Sequence, residues 1–195
     1  VYCPFCDASF SHFVEVGPKH EPMMCPRCRS NDRDRFFWLY LQQHPELIKP
    51  GMKILHIAPE TIYYRLFKNI PGVKYVCGDK FITNFKNTYP IDTIYIDITD
   101  MSQFEDNSFD FIYCSHVLEY IKEDHKALTE FYRVLKPSAN AIISVPINFG
   151  HALTEEEESI TDPLEQERLY GDKGHLRYYG DDYADKVKAA GFELA

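Results

Sequence analysis

Four of the six cysteines in this chain form two pairs, each with two residues between its members. Cys3 and Cys6 make the first pair, and Cys25 and Cys28 follow after 18 further residues. Two such turns can direct four thiolates at one point, which is the tetrahedral ligand set that Zn²⁺ prefers. Because four cysteines leave no coordination position for water, we predict a structural zinc ion. Iron in the same cage is a second reading, and disulfides or unliganded thiols are a third.

The segment that carries these pairs is about 30 residues long, which is too short for a hydrophobic core of its own. Metal binding would therefore supply its folding energy. Cys77 and Cys114 stand alone in apolar stretches and are predicted to be buried. Paired cysteines without a visible secretory signal favour a reducing compartment, so we expect a cytoplasmic location. No apolar run approaches the roughly 20 residues that cross a bilayer, and no membrane span is expected.

The composition limits the class of protein and of partner. The chain has 195 residues, of which 45% are hydrophobic, enough for one full domain and a small module. Its 21 basic and 30 acidic residues give a formal charge of -9, which disfavours nucleic acid as a partner. Seven acidic residues and no basic one lie between positions 155 and 167, and this stretch is predicted to be a solvated loop or helix face.

The chain divides into three predicted parts. A four-cysteine module covers residues 1–35, a connecting helix covers 36–50, and a larger domain covers 51–195. Ser30 or Asn31 can cap the connecting helix, and Asp32 and Asp34 suit its positive end. The apolar run 36–41 is too large to remain exposed on a short helix. We therefore expect this helix to pack on the larger domain and to fix the module against it.

The larger domain alternates short apolar runs with amphipathic segments. Strands are predicted at 54–58, 74–78, 93–96, 109–114 and 141–145, with helices at 127–135 and 181–190. Strands separated by helices predict an α/β fold with a doubly wound, mainly parallel sheet. Ligands of such sheets bind beyond the carboxyl ends of the strands.

The residues that follow the strands describe a nucleoside-shaped site. Asp79 follows the second strand, where a carboxylate can accept both hydroxyl groups of a ribose. Asp97 follows the third, where it can accept from an exocyclic amine. Taken singly, each is more often a turn or capping residue, and the prediction depends on their occurring together. Glu60 follows the first strand, and His116 follows the fourth.

Longer motifs carry a family resemblance. The stretch 97–121 and the sequence Arg-Val-Leu-Lys-Pro at 133–137 are similar to the central signature of class I S-adenosylmethionine-dependent methyltransferases of the type 11 kind. The stretches 53–60 and 174–180 resemble a bacterial subgroup that also carries the two cysteine pairs. The resemblance covers roughly residues 54–194. It implies a Rossmann-like fold, S-adenosylmethionine as cofactor and transfer of its methyl group.

The resemblance also implies roles for individual residues. Asp79 would hold the cofactor ribose, with Lys80 beside the adenine. Asp97 and the backbone of Ile98 would recognise the adenine edge. Ser115 and His116 would border the methionine end and the methyl group, in a site whose task is alignment. The resemblance therefore implies six cofactor-binding residues: Asp79, Lys80, Asp97, Ile98, Ser115 and His116.

The first loop of the domain departs from the family pattern. His56 stands where the family has an acid, and Ala58, Glu60 and Ile62 stand where it has glycines. Bulkier side chains could crowd the methionine end of the cofactor, or Glu60 could turn inward and bind its ammonium group. The sequence leaves both outcomes open. His56, Ala58 and Glu60 are therefore included in the predicted cofactor site.

His116 and His175 are the candidate general bases, because imidazole titrates near neutral pH. The alternatives are a packed or capping role for His116, a substrate contact for His175, and transfer without any base. The favoured function is methylation of a small-molecule, sugar or lipid-linked acceptor. One competing function is a catalytically degenerate methyltransferase-fold protein whose zinc module recruits a partner. A nicotinamide-dependent oxidoreductase is disfavoured because the glycine fingerprint after the first strand is missing.

Overall fold

The structure is a computed structural model that describes residues 1–17, 20–80 and 89–195. The cysteine module is built from two antiparallel ribbons. The strands β1 (Tyr2–Cys3) and β2 (Ala8–Ser9) form the first, and β3 (Val14–Val16) and β4 (Glu21–Met24) form the second. The first cysteine pair lies in the first ribbon, and the second pair follows β4.

The helix α1 (Asp32–Gln43) leads out of the module with Asn31 as its N-cap residue. The backbone N–H of Asn31 donates to Oδ2 of Asp34 at 2.8 Å, which satisfies one amide at the start of the helix. Asp32 and Asp34 place negative charge in the first turn, as the helix dipole favours. The helix begins where residues 30–34 predict a start, but it ends at Gln43 and does not extend to the predicted residue 50.

The larger domain contains a five-stranded parallel sheet. Its strands are β5 (Lys53–Ile57), β6 (Lys74–Asp79), β7 (Ile94–Tyr95), β8 (Phe109–Ser115) and β9 (Leu135–Ser144). They pair in the order β7-β6-β5-β8-β9, which is the doubly wound order with its switch point between β5 and β8. The predicted fold class is confirmed.

Four helices and one further ribbon complete the described chain. The helices are α2 (Thr61–Lys68), α3 (Asp124–Val134), α4 (Pro163–Tyr170) and α5 (Tyr183–Ala189). A 3-10 turn at Leu118–Tyr120 precedes α3, and β10 (Glu155–Glu156) pairs with β11 (Arg177–Tyr178). The last sheet strand begins at Leu135, earlier than the predicted residue 141. Pro137 lies inside it, because β9 pairs with β8 on only one side and its other edge tolerates a residue without an N–H.

An aromatic layer joins the module to the sheet. The ring of Phe37 in α1 stacks on Tyr113 of β8, with centroids 4.3 Å apart, and contacts Tyr63 of α2 at 4.8 Å. The indole Nε1 of Trp38 donates to the carbonyl of Pro4 at 3.0 Å. Phe37 of the apolar run is thus buried against the larger domain, as the sequence predicts, whereas Phe36 and Leu39 remain exposed. The opposite face of the sheet is covered by α3 and α5 through a more aliphatic cluster.

The acidic stretch 155–167 forms β10, a loop and the start of α4. Its acidic side chains are almost all solvent-exposed, and Asp162 caps α4 by accepting from the N–H groups of Leu164 and Glu165 at 3.0 and 2.9 Å. Glu156 is also held by Arg177 at 2.6 Å. Among the described residues, no helix has the length and apolar character needed to cross a bilayer.

Candidate active site and cysteine cluster

The four paired cysteines converge in the module. Their Sγ atoms all lie within 4.8 Å of one another. The Sγ–Sγ distance is 3.7 Å between Cys3 and Cys28 and 3.8 Å between Cys6 and Cys25. Four sulfurs at the usual Zn–S distance of about 2.3 Å in a tetrahedron are separated by about 3.8 Å. The spacing and chemistry of these donors therefore fit a zinc ion.

The surroundings of the cluster shift the pKa values of two of its thiols in opposite directions. Burial opposes ionisation of Cys3, but the hydroxyl of Ser30 and nearby backbone N–H groups outweigh it and lower the pKa of Cys3 to about 6. Burial and the neighbouring sulfurs raise the pKa of Cys6 to about 12. The Oγ of Ser30 lies 3.1 Å from Sγ of Cys28, so one hydroxyl serves both cysteine pairs.

A cavity of about 800 Å³ opens at the carboxyl edge of the sheet. It is lined by residues that follow β5, β6, the β7 region and β8, together with the segment 170–178. All but one of the predicted cofactor residues lie in its wall, and so does the second candidate base. The predicted residues that line it are Ala58, Glu60, Asp79, Lys80, Asp97, Ile98, Ser115, His116 and His175. The sheet topology thus brings them together.

Asp79 ends β6 and is only 9% exposed. The hydroxyl of Tyr89 donates to its Oδ2 at 3.0 Å. Burial and the neighbouring carboxylate raise the pKa of Tyr89, so this hydroxyl stays a donor at physiological pH. Tyr89 was not among the predicted site residues, because it follows no strand and belongs to no helical pattern.

Asp97 lies beside Asp79 and is joined to it through the backbone, since the N–H of Ile96 donates to the carbonyl of Asp79 at 3.0 Å. Its Oδ2 lies 2.6 Å from Nζ of Lys80, and its Oδ1 accepts from the hydroxyl of Thr99 at 2.7 Å. Burial opposes its charge, but Lys80 and Thr99 outweigh that effect and lower the pKa of Asp97. The carboxylate is therefore ionised at neutral pH.

The glycine-poor first loop keeps a glycine-like backbone. Ala58 has φ of +50°, in the left-handed region that glycine adopts most easily, and its N–H donates to the carbonyl of Gly78 at 2.9 Å. His56 lies fully buried behind the loop and does not line the cavity. Its Nε2 lies 2.8 Å from Oε2 of Glu60, and its Nδ1 lies 2.8 Å from the hydroxyl of Tyr75. His56 therefore holds the carboxylate of Glu60 at the cavity wall.

The two candidate bases lie on either side of a buried carboxylate. Nδ1 of His116 is 3.4 Å from Oε1 of Glu119, and Nε2 of His175 is 3.9 Å from the same oxygen. Nδ1 of His175 lies 2.9 Å from the carbonyl of Tyr170. His116 has φ of +54°, a strained conformation that tends to occur at functional positions. Glu119 belongs to the family-like stretch, but its sequence position gave no sign that it would lie between the two histidines.

Comparisons with known proteins agree with this geometry. Residues 67–143 match the family profile described as a methyltransferase domain. The fold is similar to an S-adenosylmethionine-dependent methyltransferase of Archaeoglobus fulgidus, with a TM-score of 0.58 and 16% identity over 81% of this chain and 68% of that one. It is also similar to a methyltransferase of Bacillus halodurans, with a TM-score of 0.54 and 23% identity over 80% and 69%.

A third similar structure is the complex between the Haloferax volcanii Trm112 methyltransferase activator and its methyltransferase. Its TM-score is 0.54, with 17% identity over 84% of this chain and 75% of that one. A comparison with curated protein sequences gave no match. Identities this low establish the fold, and the matching profile covers 77 of the 195 residues. The chain has the class I methyltransferase fold.

The cysteine module contributes to the wall of this cavity. Glu21 and Met23 of the β3–β4 ribbon line it, as does Arg33 of α1. The guanidinium of Arg35 donates to the carbonyls of Met23 at 2.9 Å and of Ser30 at 2.7 Å, which ties the ribbon to the helix. The ribbon and the segment 170–178 therefore both line this cavity.

A second cavity of about 1040 Å³ runs along β9 and α5. It shares only Arg33, Ser115 and His116 with the first cavity. It does not include the acidic residues at the ends of β6 and β7, which are the residues expected to bind the nucleoside. The smaller cavity is therefore the candidate site for a nucleoside.

Proposed function

We propose that this protein is an S-adenosylmethionine-dependent methyltransferase that acts on a small-molecule or saccharide-type acceptor. The observation that supports it most strongly is that one cavity contains both Asp79 and Asp97, at the ends of neighbouring strands. Bound S-adenosylmethionine would supply an electrophilic methyl group on a sulfonium centre. The protein then needs to bind the cofactor, align the acceptor and exclude water.

In this proposal the residues that line the cavity contact different parts of the cofactor. Asp79 accepts the ribose hydroxyls, and Tyr89 limits the orientations of its carboxylate. Asp97 accepts from the adenine amine, while Lys80 and the backbone at Ile98 border the ring. These contacts follow from the acceptor-only chemistry of ionised carboxylates.

The carboxylate of Glu60 is proposed to bind the ammonium group of the methionine end. Its support is the 2.8 Å contact with His56, which fixes Oε2 and holds the side chain at the cavity. Ala58 keeps the left-handed backbone of a glycine, so the loop can turn as the family requires. We therefore favour the reading in which Glu60 replaces the acid missing at position 56.

The acceptor would enter between the β3–β4 ribbon and the segment 170–178. Charged and polar side chains of both signs line this side, including Glu21, Arg33 and Lys173. Such a lining suits a polar acceptor with several hydrogen-bonding groups, and His116 and His175 are the candidate bases beside it. We further propose that the cysteine cluster holds a structural zinc ion that keeps the ribbon in place, in the reducing environment of the cytoplasm.

Calorimetry on zinc-loaded protein tests the cofactor site. We expect S-adenosylmethionine and S-adenosylhomocysteine to bind, and Asp79→Ala to weaken both by about 10-fold to 100-fold. That range corresponds to the loss of hydrogen bonds to a charged group. Asp185→Ala is the matched control, because the Asp185 side chain is 82% exposed on α5. Equal affinities in both variants would contradict the assignment of Asp79.

The second candidate function is a methyltransferase-fold protein that does not methylate and binds a partner through its cysteine module. The similar structure of a methyltransferase with its Trm112 activator is the observation that favours a protein partner. Failure of folded, zinc-loaded protein to bind either cofactor form would support this alternative. Binding that depends on Asp79 would disfavour it.

A further inference from the structure

Glu119 is fully buried, with 0% of its surface exposed, and it belongs to the 3-10 turn that follows β8. Within the described ranges, neither Oε1 nor Oε2 has a hydrogen-bond partner. A buried carboxylate in this state is costly, and such groups are retained where they interact with another charge or serve a reaction. The two imidazoles at 3.4 and 3.9 Å are the groups that face it.

The position of Glu119 is fixed by backbone contacts, so it is not a consequence of a loose turn. The N–H of Leu176 donates to the carbonyl of Glu119 at 2.8 Å. The guanidinium of Arg177 donates to the carbonyls of Leu118 and Lys122, each at 3.0 Å, and to that of Ile121. These bonds hold the turn against the segment that carries His175.

Other titratable groups around Glu119 do not supply positive charge. Burial raises the pKa of Cys114 on β8 and of Tyr183 on α5, so both are neutral at physiological pH. Burial also raises the pKa of Tyr120, whose ring contacts His175 with centroids 4.7 Å apart. The charge of Arg177 is matched by Glu156 at 2.6 Å. The two imidazoles are therefore the side chains through which Glu119 can act on the cavity.

The two histidines differ in how their tautomers are set. His175 has its own acceptor, the carbonyl of Tyr170, so its Nδ1 carries a proton whatever Glu119 does. His116 presents Nδ1 to Glu119, and its side chain lines the cavity with 29% exposure. A proton on Nδ1 leaves Nε2, on the far side of the ring, with a free lone pair. The distance of 3.4 Å suits a contact that tightens when substrate binds.

We propose that Glu119 is a positioning residue that holds His116 with its Nε2 ready to accept a proton, and that the methyl acceptor is therefore a hydroxyl compound. This inference rests on the proposed methyltransferase function. A neutral amine attacks through its lone pair and loses its proton afterwards, whereas a hydroxyl group is a weak nucleophile until its proton is removed. A carboxylate behind an imidazole is the arrangement that supports such removal.

In the proposed step a methyl group moves from sulfur to the acceptor oxygen. The acceptor oxygen forms a bond to the methyl carbon while the bond from that carbon to sulfur breaks, and the bonding pair stays on sulfur to give S-adenosylhomocysteine. The hydroxyl proton passes to Nε2 of His116 and later to solvent. The positive charge gained by the imidazole is stabilised by Glu119. Glu119 itself is too buried to contact the acceptor and acts through His116.

The first test measures the tautomer of His116 and requires no acceptor. In ¹⁵N-histidine-labelled, zinc-loaded protein at about pH 9, above the ordinary imidazole range, we expect His116 to be protonated on Nδ1. In Glu119→Leu the ratio of Nδ1–H to Nε2–H should fall at least about tenfold, because a negative charge 3.4 Å from Nδ1 no longer favours a proton there. His175 should keep its tautomer in both proteins. An Nε2–H form of His116 in the unaltered protein would overturn the proposal.

Stability separates this role from a merely structural one. Because Glu119 makes no hydrogen bond through its side chain, an apolar residue of similar size should leave the midpoint of thermal unfolding unchanged or higher. Should Glu119→Leu fail to fold, Glu119 is a structural residue and the proposal is wrong. His116→Asn, which leaves the buried carboxylate in place, should fold, bind S-adenosylhomocysteine and lose methyl transfer. Transfer by His116→Asn at the unaltered rate would also contradict the proposal.

The second test identifies the atom that receives the methyl group. The protein is incubated with S-adenosylmethionine labelled with ¹³C in the methyl group and with a small-molecule extract of the cells that produce it. A label attached to oxygen supports the inference, and a label attached to nitrogen or sulfur overturns it. If no label is transferred although S-adenosylhomocysteine binds, the proposed function itself fails, whatever tautomer His116 adopts. The two failures are thus distinguishable.

Discussion

The cysteine cluster and the cavity at the carboxyl edge of the sheet are both made by several side chains, but they assemble over very different spans of sequence. All four cysteines lie within the first 28 residues, and each pair is brought together by one turn. The cavity draws on residues from Val16 of β3 to Tyr178 of β11. A local site is therefore visible in residue spacing alone, whereas a distributed site becomes visible only through the order of the strands.

The first prediction tests whether metal binding by the cysteine cluster keeps the β3–β4 ribbon folded beside the cavity. Cys25→Ser should abolish binding of one metal ion per chain and unfold the module, because zinc contributes roughly 10–16 kcal/mol to comparable peptides. Elemental analysis measures the metal, and the intensity and position of Trp38 fluorescence report on the module. Cys77→Ser, a buried cysteine in β6, is the control and should keep the metal. A folded module without metal would contradict the structural role.

Some features of both sites could be predicted from the sequence alone. The convergence of the four cysteines could be predicted because ligand type and spacing together specify a geometry. The proximity of Asp79 and Asp97 could be predicted because parallel strands share one carboxyl edge, so residues far apart in sequence meet there. Neither inference required knowledge of side-chain packing.

The residues that sequence reasoning missed depend on tertiary contacts. Tyr89 donates to Asp79 although it follows no strand of the sheet. Glu119 stands out only through its short distance to His175, which is far from it in sequence. The helix α4 was missed because acidic residues surround it, although Asp162 before Pro163 is a helix-start signal. The early start of β9 was missed because a proline argues against a strand unless the strand is known to lie at an edge.

The second prediction concerns the contact between the two regions. Phe37→Ala should lower the free energy of unfolding by about 3–5 kcal/mol, since it removes a fully packed ring from between Tyr113 and Tyr63. Phe36→Ala is the matched control, because Phe36 is 74% exposed on the same helix and should change stability by less than about 0.5 kcal/mol. Denaturant unfolding measures both. Similar costs for the two variants would mean that the module is attached loosely.

The third prediction is the smallest and concerns the loop where the cavity departs from its family. Ala58→Gly relieves a left-handed alanine, which costs about 1–2 kcal/mol, but it loses a methyl group packed on the core and gives the unfolded chain more freedom. These effects largely offset each other, so stability should change by less than about 1 kcal/mol. Affinity for S-adenosylhomocysteine should be unchanged or higher, because the backbone already has the shape that glycine would give it.

Ala127→Gly provides the comparison for Ala58, since the same atoms are removed from the buried face of α3. There the backbone is helical, and the substitution should cost at least about 1 kcal/mol. If Ala58→Gly were equally costly, the left-handed geometry at Ala58 would not be strained. If it weakened S-adenosylhomocysteine more than tenfold, the methyl group of Ala58 would itself contact the cofactor. The second result would mean that the loop binds the cofactor through a side chain as well as through its backbone.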